Sequence, residues 1–439
     1  MDTVRVGVGT ADITPPVGMA SAGFAARGPL SALHDPLMAV ALVVSKGERV
    51  LTLVSCDLID LDAATVSAIR KQVEQRVGIP GCAVSVACTH THYGPDPYRD
   101  TSDAAVMAYR AQLIERVSGA VAKAASRREP ALLGVGWGAS DIGVNRREKL
   151  PDGRVILGKN AEGPIDRSVG VLRVNARDGR AIACAVNFQA HPVSQTGQVS
   201  HISADYVGKM RQIVRDRTGA ECLFLQGACG DINAAWMEAR YEPADALGTK
   251  LASEVVKVWG TIQTGVTSQL QIESAHVKLP RIRYASQEQA EELVQSLETA
   301  LERHRTEDTA PGLVRWMKQR LQRAREALVS WQKGRPLEPI DAELQGCRID
   351  DLALVASPGE LFNQIGTAVK DRSPFKDTFF VGYANDSLGY VPVPEVYAEG
   401  GYEVMQASRV GPDAANLIIA GSLELLERLA GDDPGTREA

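Results

Sequence analysis

The sequence predicts an α/β fold: a mixed-sheet core with an amphipathic αα-hairpin inserted into it. Short apolar, β-branched runs recur through the first two hundred residues and alternate with segments of helical period. At 285–335 the alternation stops and gives way to charged sequence of helical spacing. After that block, strand, turn and helix patterning resumes at 351–371.

Taken in order, "DPLMAVALVV" (35–44) and "RVLTLVSCDLI" (49–59) are apolar strands joined by "SKGE", a hairpin connection. "DAATVSAIRKQVEQRV" (62–77) sets Val66, Ile69 and Val73 on one helical face with Asp62 as its cap. "GCAVSVACTH" (81–90) reads as a buried strand and 102–125 as a helix. Strands are expected at 131–140, 169–176 and 181–192, then a helix at 204–219 and a strand at 221–227. Another helix is expected near 249–259, and strand-like alternation at 267–280. "SQEQAEELVQSLETALERHR" and "GLVRWMKQRLQRAREALVSWQ" flank "TEDTAP" and form the hairpin, with Leu293, Leu297, Leu301, Leu313, Trp316 and Leu328 as packing positions. A strand with a proline-punctuated loop (377–397) and a helix (413–430) close the chain. The expected organisation is one domain over 1–430, carrying the hairpin at about 285–335, and a flexible tail at 431–439.

Composition removes several function classes. The formal charge is -6 over 439 residues, which supplies no concentrated positive charge for nucleic acid or an anionic membrane. No run of eighteen apolar residues occurs, and "MDTVRVGVGTADITPP" lacks a signal-peptide pattern, so neither a membrane span nor stable membrane association is expected. Seven cysteines without a CxxC read as reduced thiols in a cytoplasmic protein. A homo-oligomer through the hairpin stays open.

The chain has seven histidines, and two of them fall in "CTHTHYGPD" (88–96). Strand parity, if it continued past Cys88, would send His90 and His92 to the same side as Val84 and Val86. Neutral imidazole suits zinc, and the motif needs a third ligand. His191 in "NFQAHPVS" and Glu360 in "ASPGELF" are candidates, since each follows an apolar strand and sits at a turn, as His90 does. His34 in "ALHDPL" is a further polar candidate, and Asp57, ending "LTLVSCD", is a carboxylate that could orient a ligating histidine. Cys229 in "QGACGDIN" is a rival thiol nucleophile.

"VGVGTADITPP", "LVSCDLIDLD", "THTHYGPD", "NFQAHP", "ISADYVG", "QGACGDIN", "VASPGELF" and "GYANDSLGY", in this order, resemble the N-terminal catalytic domain of neutral or alkaline non-lysosomal ceramidases. The resemblance implies one zinc ion per chain held by His90, His191, Glu360 and Tyr390. It also implies that His92, Tyr402 and Arg146 handle the attacking water and the substrate's polar group, with Asp231 lying in the shell behind them. The chain departs from that pattern where ceramidases carry a serine in GDxSPN: it reads "GDINAA", with Asn233 at the serine position, where it could orient substrate by hydrogen bonding. Length for the family's C-terminal β-rich domain is missing as well. The expectation is therefore a zinc-dependent hydrolase of a soluble small-molecule amide, lactam or ester rather than of ceramide. The alternatives are a metal-supported lyase or glycoside-processing enzyme on a sugar derivative, a Cys229 hydrolase, and a zinc-stabilised binding protein.

Overall fold

The computed structural model describes residues 3–98, 100–284, 286–304 and 309–431. Two sheets stack face to face with helices on both outer surfaces. The larger has eight strands in the order Glu221–Gln226, Ala181–Phe188, Ser168–Ala176, Glu129–Ala139, Arg5–Asp12, Met38–Lys46, Arg49–Cys56 and Val84–Cys88. It is mixed: Val84–Cys88 runs parallel to Arg49–Cys56, and Ala181–Phe188 parallel to Glu221–Gln226. The smaller sheet orders Leu270–Leu279, Ile340–Ile349, Leu352–Ala356 and Asp377–Val381.

Side-chain parity explains the layering. Along one central strand Ala39, Ala41 and Val43 enter the cluster under the helices, while Val40, Leu42 and Val44 enter a cluster shared with the second sheet. In the second sheet Leu352 and Leu354 join that shared cluster, and Ala353 and Val355 face the opposite way into a third. Helices α1 (Ala63–Val77), α2 (Ala104–Ser126), α3 (Asp205–Thr218) and α4 (Glu242–Thr261) cover the large sheet. Helix α5 (Gln287–Arg303) and α6 (Pro311–Gln332) form the hairpin, and α7 (Asn363–Arg372) and α8 (Ala414–Gly431) cover the small sheet.

Asp62 caps α1 through Thr65 N, as its sequence implies, with Val66, Ile69 and Val73 buried. The hairpin encloses its own cluster around Leu297, Leu321 and Ala324. It also seats on the body: Arg315 pairs with Asp96 at 3.4 Å and Arg323 donates to Gln406 O at 3.2 Å. Helix α4 starts at Glu242, earlier than the expected 249. The expected tail lies, apart from Gly431, outside the described residues, as do 306–308 of the hairpin turn.

One expectation is overturned. The strand does not continue to His92 but ends at Cys88, and His90 adopts a left-handed φ of 68°. His90 N bonds to Leu58 O at 2.9 Å, which turns the chain out of the sheet. The two imidazoles still meet, because of this turn and not through alternation. Several strands have no counterpart in the sequence reading, among them Gly143–Lys149, Val155–Asn160, Ile340–Ile349 and Arg5–Asp12. The first carries buried Asn145, Arg146 and Arg147, so its inward positions are polar and apolar alternation cannot reveal it.

Candidate metal centre

The centre forms where strands from both halves of the sandwich end. His90 follows Val84–Cys88 and His191 follows Ala181–Phe188, both at C-terminal strand ends, where α/β sheets commonly place chemistry. Gln226 draws these two loops together. Its Nε2 donates to Thr89 O at 3.0 Å and to Ala190 O at 2.9 Å, the carbonyls immediately before the two histidines. Glu360 and Tyr390 arrive side by side as partners in a two-residue parallel pairing. Gly230 permits that approach: a Cβ there would lie 2.5 Å from Glu360 O.

Hydrogen bonds set the tautomers. His90 Nδ1 lies 2.6 Å from Ile59 O, and His191 Nδ1 lies 2.7 Å from Cys229 O and 3.0 Å from Ile232 O. Carbonyls only accept, so each Nδ1 carries the proton and each Nε2 faces inward. Burial, then the charge of Arg146, lowers His191 to about 4, leaving a neutral ring with an Nε2 lone pair. That nitrogen stands 3.4 Å from Glu360 Oε2, and His90 Nε2 stands 3.2 Å from the same oxygen. Burial alone would raise the Glu360 carboxyl, but His90 and His191 outweigh it and hold it well below its ordinary value. Both Nε2 atoms thus converge on one carboxylate oxygen, and His191 Nε2 also lies 3.3 Å from Arg146 Nη1. His90 Nε2, Glu360 Oε2 and both ring nitrogens of His92 are buried without a hydrogen-bond partner. Such atoms are costly unless a cation lies between them.

The donor set fits a metal ion. One nitrogen from each of His90, His92 and His191 lies within 4.8 Å of the others. Ligands about 2.0–2.1 Å from a tetrahedral zinc are separated from each other by roughly 3.3 Å. The 3.2 and 3.4 Å separations from Glu360 Oε2 match that edge. Tyr390 Oη is 3.4 Å from His191 Nε2.

Around these groups sits a buried polar layer. Arg146 Nε donates to Glu403 Oε1 at 2.8 Å and Nη1 to Asn233 Oδ1 at 3.1 Å, and its guanidinium lies 5.2 Å from the Tyr390 ring centroid. Its Nη2 is buried and unpartnered. Burial opposes the Arg146 charge, but Tyr390 and Glu403 more than offset that and raise its pKa. The Tyr402 ring packs edge-on to Tyr390 at 5.7 Å. His92 packs edge-on against Phe24, and a Cβ on Gly23 would meet its ring at 2.7 Å. Burial, then His90 and His191, hold His92 well below its ordinary pKa.

Other candidates sit elsewhere in the network. Asp57 receives Met38 N at 2.8 Å and both terminal nitrogens of Arg211, and His90 and His191 use main-chain carbonyls in its stead. Asp231 fastens the scaffold, accepting from Asn363 N at 2.7 Å and Asn145 Nδ2 at 2.9 Å. His34 stacks on Tyr241 at 3.6 Å and bonds Asp35. Cys229 lies against the Tyr383 hydroxyl at 3.1 Å, and burial raises its thiol pKa, so it is held neutral. All seven cysteines are free. Sequence reasoning missed Gln226, Glu403 and Tyr383, which stacks on His90 at 4.0 Å. Gln226 and Tyr383 lie in quoted motifs and Glu403 follows Tyr402 directly, but none offers a spacing that marks it.

The whole chain superposes on the crystal structure of neutral ceramidase from Pseudomonas aeruginosa, with a TM-score of 0.73 and 20% identity. The match covers 98% of this chain and 75% of that one. A structure of ceramidase complexed with C2 gives the same score and identity, with 76% of its chain covered. The fold is that of neutral ceramidase. At this identity the likeness extends to architecture alone. No family model matches the sequence, and no curated protein does. Among the described residues, no helix is long and apolar enough to cross a membrane.

Proposed function

We propose that residues 1–430 act as one catalytic unit, a zinc-dependent hydrolase of small-molecule amides, lactams or esters. The observation that carries this reading is convergence: His90 Nε2 and His191 Nε2 stand 3.2 and 3.4 Å from one Glu360 oxygen, and that oxygen and His90 Nε2 are buried without a hydrogen-bond partner. His90, His191 and Glu360 are the ligands of this reading, with Tyr390 as the fourth group. Zinc bound there supplies a Lewis acid and lowers the pKa of a water molecule toward neutrality.

The chain's own groups do the rest. His92, kept neutral by burial, accepts the proton of the attacking water and returns it to the leaving group. Arg146, through its free Nη2, and Tyr402, whose hydroxyl burial keeps protonated, donate to the oxygen on which negative charge develops. Asn233 holds Arg146 in place, and through it orients the substrate, since its amide oxygen accepts from that guanidinium. The departure from the ceramidase serine supports a substrate other than ceramide. The test is elemental analysis joined to a hydrolysis screen of small amides, lactones and esters in ¹⁸O water. One zinc per chain and label in the product acid are expected. Turnover that survives complete metal removal, or an unsaturated product without label, would overturn the reading.

A further inference from the structure

The hairpin meets the centre's rim at the segment that follows Tyr402. A cavity between α6 and the Val404–Arg409 segment is lined by Arg281, Arg320, Arg323 and Arg409, with Tyr284 and Glu326 beside them. Among the described residues, only Arg281 of these four has a carboxylate partner, Glu326 at 3.3 Å. Among the described residues Arg323 donates to the Gln406 carbonyl, Arg409 to Ser387 O at 3.3 Å, and Arg320 lies 4.7 Å from the Trp316 ring centroid. These partners are neutral, so three guanidinium charges remain uncompensated in a partly desolvated space. Burial, and then the charge of Arg409, lowers the pKa of Arg323; burial also lowers that of Arg320. The cluster is therefore repulsive as it stands.

Position links it to the chemistry. Ser408, in the cavity lining, forms a β-bridge with Tyr390, and Tyr402, just before the lining segment, packs on Tyr390 beside His191. The cavity measures about 30 Å³, where a single water needs roughly 10–15 Å³. That is room for a carboxylate and little more. Guanidinium forks match carboxylates by paired hydrogen bonds, which gives this room a chemical preference.

We propose that the substrate carries a terminal carboxylate, bound by Arg320, Arg323 and Arg409 while its scissile bond lies at the histidine centre. The inference rests on the hydrolase reading for what is cleaved, but not for what is bound. Its test uses the zinc-loaded full chain with N-acetylglycine, N-acetyl-4-aminobutyrate and N-acetyl-6-aminohexanoate, each paired with its carboxamide. Calorimetry reads binding, and amine release reads cleavage.

At one chain length the carboxylate should bind at least about tenfold more tightly than its carboxamide, the size of one charge-assisted contact. In the Arg320→Gln/Arg323→Gln variant that ratio should fall toward one. Equal affinities at every length, no measurable binding of any probe, or an unaltered ratio in a folded, zinc-replete variant would overturn the inference. The wild-type comparison needs no variant, so a folding defect cannot mask the answer. Carboxylate preference without amine release supports this inference and counts against the hydrolase reading. Equally efficient cleavage of carboxylate and carboxamide does the reverse.

Discussion

At His90 and Glu360 the unsatisfied atoms are acceptors; at Arg320, Arg323 and Arg409 the uncompensated charges belong to donors. Both regions border the stretch from Tyr390 to Arg409, and they are held differently. The two histidines are fixed by main-chain carbonyls and by Gln226, on loops that directly follow strands. The donors end long, half-buried side chains, Arg320 and Arg323 on a helix surface and Arg409 on a loop. A rigid centre suits an ion with strict ligand distances, whereas flexible arginines suit a group presented by a variable molecule. In the proposed reading the contrast separates the part of the site that sets the reaction from the part that selects its substrate.

The strongest way to break the comparison is to remove an acceptor. Glu360→Gln keeps the shape but neutralises the charge. It should lose its zinc by elemental analysis and lower kcat/KM by at least about a thousandfold, since bound metal supplies several kcal/mol of transition-state stabilisation. Full metal content in this variant would sever Glu360 from the centre.

Acid sharpens the picture in metal-free protein. His191 has an ordinary value of 6.5 and a folded value of about 4, so between these the unfolded chain binds the proton and the folded chain does not. Stability from this group is complete above about pH 6.5 and is lost as pH falls toward 4. The effect is on the order of 3 kcal/mol. Asp205 and Asp231, both pushed up to about 6 by burial, act in the opposite direction, so the comparison must be made with His191→Gln. In that variant, urea titrations should show a flatter fall in stability from pH 6.5 to 4 than in wild type. Parallel curves would refute a neutral buried His191.

Loosening the acceptor scaffold should have a smaller effect. Gln226→Leu removes the amide that ties the two histidine loops, and zinc affinity should drop about 10–100-fold, the usual cost of losing an outer-shell partner. Competition with a chromogenic chelator measures it. Smallest of all, Cys229→Ala should leave kcat within about threefold and cost about 1 kcal/mol of stability, because the thiol packs against Tyr383 without acting on substrate. Loss of turnover with zinc retained would revive the thiol reading.

Much of the fold was legible where local signals agree. The hairpin connection at 46–49, the Asp62 cap and the two charged helices all follow from patterns within a few residues. Legibility failed at Gly143–Lys149, where Arg146 and Arg147 lie buried against Glu403 and so read as surface. It failed again after Cys88, where a backbone turn and not strand parity aims His90. Gln226 carried no signal at all, since a glutamine at a strand end looks the same whether it meets water or two carbonyls.

The amino-acid order by itself determined the residue types the centre uses and the strands that precede them, because hydrophobic periodicity and short motifs are local properties of the chain. The convergence of His90, His191 and Glu360, and the placing of the hairpin's arginines beside Tyr402, were decided by the tertiary structure alone. Those groups are separated by many tens of residues or more, and no local preference encodes a distance across two packed sheets.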